Sequence, residues 1–363
     1  MSDLPRITFV GYHSCIRSFK QAIALKELGY TVNWVCHQPP PQVNYGALDL
    51  VVIYTLGDGD HSYVDPKTHF DHFKKTIRQL ETRTDIWHAY NEPDWFVHTI
   101  KEISNKPVVW DLHDLVSERD FIIRDDEALE IKNADAIITQ GKGYLEVMKE
   151  RRPDLAEKGL IDYCLSAVPR IYWPDLNSPM VMHGAKKFGG VVYEGGLASG
   201  TAGGNEFRYR WWLPLMEKLT KLNIPVSAHV ASGGDYGLYQ RAGVRIVPAT
   251  RYNMMMQGLT LYDWGLCGNA VHHSAFDKAW PNKLFEYLAA GLPILVHDSK
   301  EVAEFVQDEK IGEVVNSAED IARIYSTAPK FKEAVAKARQ KYCMENEISK
   351  VIAIYNKLHK SKE

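Results

Sequence analysis

No stretch of this 363-residue chain approaches the roughly 20 consecutive apolar residues that a membrane-spanning helix requires. Met1 to Arg6 open no signal-peptide pattern, so a cytoplasmic location is expected. Cysteine is scarce and scattered. The five thiols, Cys15, Cys36, Cys164, Cys267 and Cys343, show neither a C-x-x-C spacing nor a paired framework. That pattern speaks against a disulfide scaffold and for reduced, mostly structural thiols. A large charge of one sign is also missing. Forty-three Lys and Arg against 46 Asp and Glu leave a formal net charge of −3, which gives no bulk reason to expect a nucleic-acid partner. An interfacial helix need not be strongly hydrophobic overall, so peripheral contact at the inner membrane surface stays open. What is present, 45% hydrophobic and 25% charged residues, describes a soluble globular protein of about two domains.

Short apolar runs alternate with helical patterns along the first half. Ile7-Thr8-Phe9-Val10 reads as a strand with a turn over 11–14, and residues 19–28 as a helix stopped by Gly29. Strands follow at 31–36, 50–54, 86–89, 108–110 and 136–139, with a polar-faced helix over 67–81. A second series starts near Lys186, with strands at 191–193, 226–230 and 244–247, a further apolar run at 261–266, and a helix over 211–222. Strands alternating with helices predict parallel, doubly wound α/β sheets. The proline-rich stretch from Pro169 to Pro179 is the best linker candidate. The expected division is therefore an N-terminal domain over 1–172, a linker over 173–185, a second domain over 186–345 and a last helical stretch over 346–363. In open α/β sheets, ligands bind beyond the carboxyl ends of the strands, so residues just after strands carry the functional weight.

The most informative stretch runs from Trp280 to Val296, WPNKLFEYLAAGLPILV. Pro281 suits a first helical turn, Leu284, Leu288 and Ala289 share a stripe, and Gly291 and Pro293 stop the helix ahead of a buried strand. Such a helix leaves Lys283 and Glu286 near its positive end, where an ammonium favours phosphate and a carboxylate can accept bonds from sugar hydroxyls. Spacing alone favours an ordinary α/β helix with solvated Lys and Glu. The pattern Pro281-x-Lys283-x-x-Glu286-Tyr287-x-Ala289-x-Gly291-x-Pro293, however, resembles the signature of the group 1 retaining glycosyltransferases of GT-B fold.

That resemblance implies two Rossmann-like domains facing across a cleft, a last helix returning to the first domain, and sugar transfer from a nucleotide-diphosphate donor. It further implies retention of configuration and no obligatory metal. Glu286 would bind the donor ribose and Lys283 would contact phosphate. The glycine-rich segment from Gly195-Gly196 to Gly203-Gly204 would approach the diphosphate, with Arg208 favoured slightly over Arg210 as its basic partner. In the first domain, Trp110-Asp111-Leu112-His113-Asp114 resembles the family's segment after a strand, so His113 would sit near the donor sugar. Asp114 would either orient its ring or cap a helix. Ser14 and Arg17, in the first strand-to-helix turn, and Asn91 and Glu92, before Pro93, are candidate acceptor contacts, although each segment also reads as a simple loop. Asp58-Gly59-Asp60 superficially resembles a metal-binding D-x-D but reads as a turn, and His272-His273 is not spaced as a zinc site.

The chain departs from the family pattern at one place. Many relatives carry a glutamate eight positions before the ribose ligand, touching the donor sugar. Here Lys278 stands there, and lysine accepts no hydrogen bond. Asp277 would serve in a loop shifted by one residue. The expected substrate is a UDP- or GDP-sugar, with no tightly bound cofactor, and the acceptor a glycan, a lipid-linked or a small molecule. The departure also admits a catalytically silent sugar-nucleotide-binding subunit, and the fold admits a sugar-nucleotide epimerase.

Overall fold

The computed structural model describes residues 4–13, 15–38, 52–53, 66–90, 95–119, 125–177, 188–198, 205–230, 234–273, 277–278 and 280–360. The chain divides into two compact units, Met1–Leu165 with Met344–Glu363, and Ser166–Cys343.

The first unit is built on seven parallel strands: β1 (Ile7–His13), β2 (Val32–Gln38), β3 (Val52–Ile53), β4 (Ile86–Tyr90), β5 (Val108–Leu112), β6 (Ala136–Thr139) and β7 (Ile161–Tyr163). Their order is β3-β2-β1-β4-β5-β6-β7, with Ile7 paired to Val32 on one side and to Ile86 on the other. The order reverses between β1 and β4. Their carboxyl ends, with that of β5 alongside, therefore form the crevice where such sheets bind ligands. Both β4 and β5 are buried at every position, as parallel strands covered on two faces must be.

Two expected boundaries move. Residues 11–13 continue β1 instead of forming a turn, and Ser14 lies outside the described residues. Gly11 has a packing reason: a Cβ there would stand 2.3 Å from ring carbons of Tyr90. β5 likewise runs two residues past Trp110, so Asp111 is a strand residue. The helix Ile16–Glu27 follows β1, and the long helix Met344–Lys360 packs against it and against β7 and β4. Ile348, Val351, Tyr355 and Leu358 are buried at three- and four-residue spacing, which is the stripe that docks this helix.

The second unit holds six parallel strands: β8 (Val191–Gly195), β9 (Val226–Val230), β10 (Arg245–Val247), β11 (Trp264–Gly268), β12 (Ile294–His297) and β13 (Gly312–Val314). The order is β10-β9-β8-β11-β12-β13, so its switch point lies between β8 and β11. The segment expected as linker begins with a 3-10 turn at Arg170–Tyr172. There the Trp173 indole donates to the Val168 carbonyl at 3.0 Å and lies under the Arg339 guanidinium at 4.4 Å.

Among the described residues no helix is long and apolar enough to cross a membrane.

Candidate functional site

In the second unit the geometry starts at the carboxyl end of β8. Gly195 adopts a φ of +124°, in the region that L side chains rarely occupy. A Cβ on it would lie 3.3 Å from the Lys283 ammonium, and one on Gly196 would lie 2.9 Å from an Arg210 guanidinium nitrogen. Two cations therefore stand directly over two residues that have no side chain. The Lys283 ammonium also lies 4.8 Å from the Tyr193 ring centre. Burial alone would lower the pKa of Lys283. The nearby Tyr193 hydroxyl and Glu194 carboxylate outweigh it, and the amine is held charged.

Lys283 and Glu286 share the helix Asn282–Ala289, whose N-cap is Pro281 in an extended conformation. The opposite face of this helix buries Leu284, Phe285 and Leu288. Tyr287 fixes its height. Its hydroxyl accepts from the Glu194 amide at 2.8 Å and donates to the Leu266 carbonyl at 3.2 Å. Its ring fills the space where a Cβ on Gly265 would approach to 2.3 Å. One side chain thus ties the helix to the ends of both β8 and β11. Glu286 is 2% exposed, and its Oε1 accepts from the Tyr252 hydroxyl at 3.1 Å.

The remaining second-unit candidates are placed differently. Arg208 is exposed, and the guanidinium against the glycine pair is that of Arg210. Backbone geometry explains it: the 3-10 turn Asn205–Arg210 returns at its last residue, where the Arg210 carbonyl accepts from the Ala198 amide at 3.1 Å. Asp277 is engaged as a helix cap. Its Oδ1 accepts from the Lys300 amide at 3.2 Å, at the start of the helix Lys300–Asp308, and its Oδ2 lies 3.8 Å from His272 Nε2. His272 in turn lies 3.1 Å from Asp298. Among the described residues no cluster of three or more His, Cys, Asp or Glu is arranged to hold a metal ion. Asp58 and Asp60 are outside those residues, as are Gly203 and Gly204.

In the first unit, the carboxyl end of β5 carries a buried ionic cluster. Asp111 is fully buried. Its Oδ1 accepts from the Arg17 guanidinium at 2.8 and 3.2 Å, and its Oδ2 accepts from the Gln21 amide at 2.9 Å. His88 Nε2 and His113 Nε2 each lie 3.4 Å from Oδ2. Arg17, 1% exposed, also donates to the carbonyls of Thr139 and Cys164. The guanidinium expected at the surface as an acceptor contact is thus turned inward, its donors spent on the protein itself. Ser14, Asn91 and Glu92 lie outside the described residues.

His113 is the first residue after β5 and is 6% exposed. Its ring stacks on Tyr90 with centroids 6.1 Å apart. Nδ1 lies 3.4 Å from Cys15 Sγ, and Nε2 lies 3.4 Å from Ser18 Oγ. Burial disfavours its charged form, but the Cys15 sulfur and the Asp111 carboxylate prevail and raise its pKa to about 9. His88 goes the other way: burial lowers it despite Asp111, and its Nδ1 is held by the Tyr355 hydroxyl at 2.6 Å. The carboxylate beside His113 is therefore Asp111, not Asp114. A single sequence hides this, because an acid inside a buried strand reads as the start of the following loop.

Two such sheets, each with its own switch point, have counterparts among known proteins. Residues 240–342 match the family described as glucosyltransferase 3-like, C-terminal domain. Sucrose-phosphate synthase from Thermosynechococcus elongatus is similar over 99% of this chain and 100% of its own, at 13% identity and a TM-score of 0.69. This is the GT-B fold. A glycosyltransferase from Rickettsia africae gives a TM-score of 0.67 at 14% identity, covering 99% of both chains. HepE from Anabaena, solved in complex with UDP and glucose, gives 0.66 at 13% identity, again over 99% of both. No curated protein matches the sequence. In GT-B terms, Gly195, Gly196, Lys283 and Glu286 all belong to the second unit and His113 to the first.

Proposed function

We propose that the chain is a glycosyltransferase that takes its sugar from a nucleotide-diphosphate donor, with retention and without a metal. The observation that carries this reading is the pair of cations, Lys283 and Arg210, poised over Gly195 and Gly196 on the same helix-and-strand frame as Glu286. Where a side chain is missing, a diphosphate can approach the backbone, and an ammonium and a guanidinium supply charge and forked donors to it. As the donor bond breaks, negative charge collects on the departing diphosphate, and these fixed cations stabilise it more than they stabilise the ground state. Glu286, held by Tyr252, accepts from the ribose hydroxyls, and His113, its two N–H groups engaged by Cys15 and by Asp111, contributes its positive charge beside the transferred sugar. The UDP complexes of HepE support a uridine or similar diphosphate as the leaving group.

Sugar release and transfer across a panel of UDP- and GDP-sugars tests the reading, comparing wild type with Glu286→Gln and Lys283→Ala. Activity with one donor, reduced at least tenfold in both variants, is the expected result. Wild-type activity in both variants would overturn the residue roles. The engagement of Asp277 as a helix cap, with Lys278 beside it, favours one rival: a subunit that binds sugar nucleotides without transferring. Nucleotide binding with no turnover of any donor would select that rival.

A further inference from the structure

The network around His113 contains a group that sugar transfer does not use. Cys15 is the N-cap of the twelve-residue helix Ile16–Glu27, is partly exposed, and places its sulfur 3.4 Å from His113 Nδ1. On the other side of the same imidazole, Nε2 lies 3.4 Å from the buried Asp111 carboxylate. Sulfur, imidazole and carboxylate thus form a continuous line, the arrangement by which proteins hold a thiol as its thiolate. We propose that Cys15 is a reactive thiolate, paired with the His113 imidazolium, and that it is a covalent modification site for soft electrophiles, peroxides among them.

Every charged or titratable group facing the sulfur bears on this assignment. Among the described residues, His113, after β5, is a cation 3.4 Å from the sulfur, and the Arg17 guanidinium on the helix is a second. Asp111 opposes both, but it is bonded to Arg17 and Gln21 and lies beyond the imidazole as seen from the sulfur. His88 and Tyr355 lie behind Asp111 and are kept neutral by burial. The amides of Arg17 and Ser18, at the positive end of the helix, face the sulfur as well. Burial pushes the thiol up; His113 and those amides outweigh it and bring it below its ordinary range. The contrast is Cys164 and Cys267, buried thiols that burial pushes up, Cys267 to about 11.

The chemistry closes without a cofactor. With hydrogen peroxide, the thiolate sulfur attacks one peroxide oxygen and the O–O bond breaks. The sulfur is oxidised to a sulfenic acid, and the departing hydroxide takes the proton from the His113 imidazolium to leave as water. With iodoacetamide, the sulfur displaces iodide and a C–S bond replaces the C–I bond.

The test is the rate at which iodoacetamide labels the Cys15-containing peptide of the full chain between pH 6 and pH 8, read by mass spectrometry beside free glutathione. An ordinary thiol loses roughly eightyfold in thiolate over that interval. Cys15 is expected to lose less than about fivefold, and His113→Gln to restore the steep profile. A parallel exposure to hydrogen peroxide, trapped with dimedone, is expected to mark Cys15 in wild type and not in His113→Gln. A wild-type profile as steep as that of glutathione, or no labelling of Cys15 at any pH, overturns the proposal, and this needs no variant to fold. Labelling that stays pH-insensitive in His113→Gln overturns the role of His113. None of these readings depends on a donor sugar or on turnover.

Discussion

Asp111 is a buried carboxylate shared by Arg17, Gln21, His88 and His113, and such a hub is costly to break from one side. Asp111→Ala leaves the Arg17 guanidinium buried without its counter-charge, at a cost of about 3–5 kcal/mol. Urea unfolding measures it, and Arg17→Met in the same background is expected to recover part of the loss. His113 gives a pH signature of known sign. Its folded pKa of about 9 lies above its unfolded value of about 6.5. The stability it contributes is therefore complete below that unfolded value and fades as pH rises towards 9. In wild type the proton that His113 gains on folding is largely matched by the one Cys15 gives up, so the signature is read in a Cys15→Ala background, where Asp111 still favours the charged imidazole. There the protein is expected to lose stability relative to Cys15→Ala/His113→Gln as pH rises above the unfolded value, and an unchanged stability difference between the two from pH 6 to 9 would exclude the charged imidazole.

The helix Asn282–Ala289 is the element on which the second unit's site depends, and a single ring sets its position. Gly265→Ala would push a methyl into the Tyr287 ring, found 2.3 Å from that point. Overpacking of this kind costs about 1–3 kcal/mol. Because Lys283 and Glu286 ride on the same helix, nucleotide affinity is expected to fall together with the melting temperature. Calorimetry showing wild-type affinity in a destabilised Gly265→Ala protein would separate the two. Elements like this one were plain in the sequence. Pro281, Gly291 and the apolar run after Pro293 bracket the helix and β12 from either side, and Ala136 to Thr139 and Val226 to Val230 emerge with the bounds their apolar runs predict. The ends of β1 and β5 were not plain. They carry residues such as Gly11 and Asp111 whose partners, Tyr90, Arg17 and Gln21, come from distant segments, and local patterning holds no trace of such contacts. For the same reason Lys283, Glu286 and His113 could be named from a motif, whereas the position of Arg210 against the glycine pair and the contacts of Tyr252 and Asp111 became visible only through packing.

At the scale of the whole molecule, the groups proposed to hold the donor nucleotide sit in one unit of two. Gly195, Gly196, Arg210, Lys283 and Glu286 all belong to Ser166–Cys343, while the Asp111 cluster belongs to the other unit. A ligand that binds only the folded form of one unit stabilises that unit by mass action, about 2.7 kcal/mol at a concentration one hundred times its dissociation constant. A chain of two compact units need not unfold in a single step, so the effect is best read locally. Hydrogen exchange in the presence of UDP or GDP is expected to slow over 191–198, 205–210 and 282–289, leaving 108–113 unchanged. The corresponding nucleoside lacks the diphosphate that Lys283 and Arg210 would hold, and is expected to protect far less at equal concentration. Raising salt from 50 to 500 mM would weaken the diphosphate more than the nucleoside, since only the former relies on paired opposite charge. Equal protection by nucleoside and nucleoside diphosphate would mean that the cations over Gly195 and Gly196 do not bind phosphate.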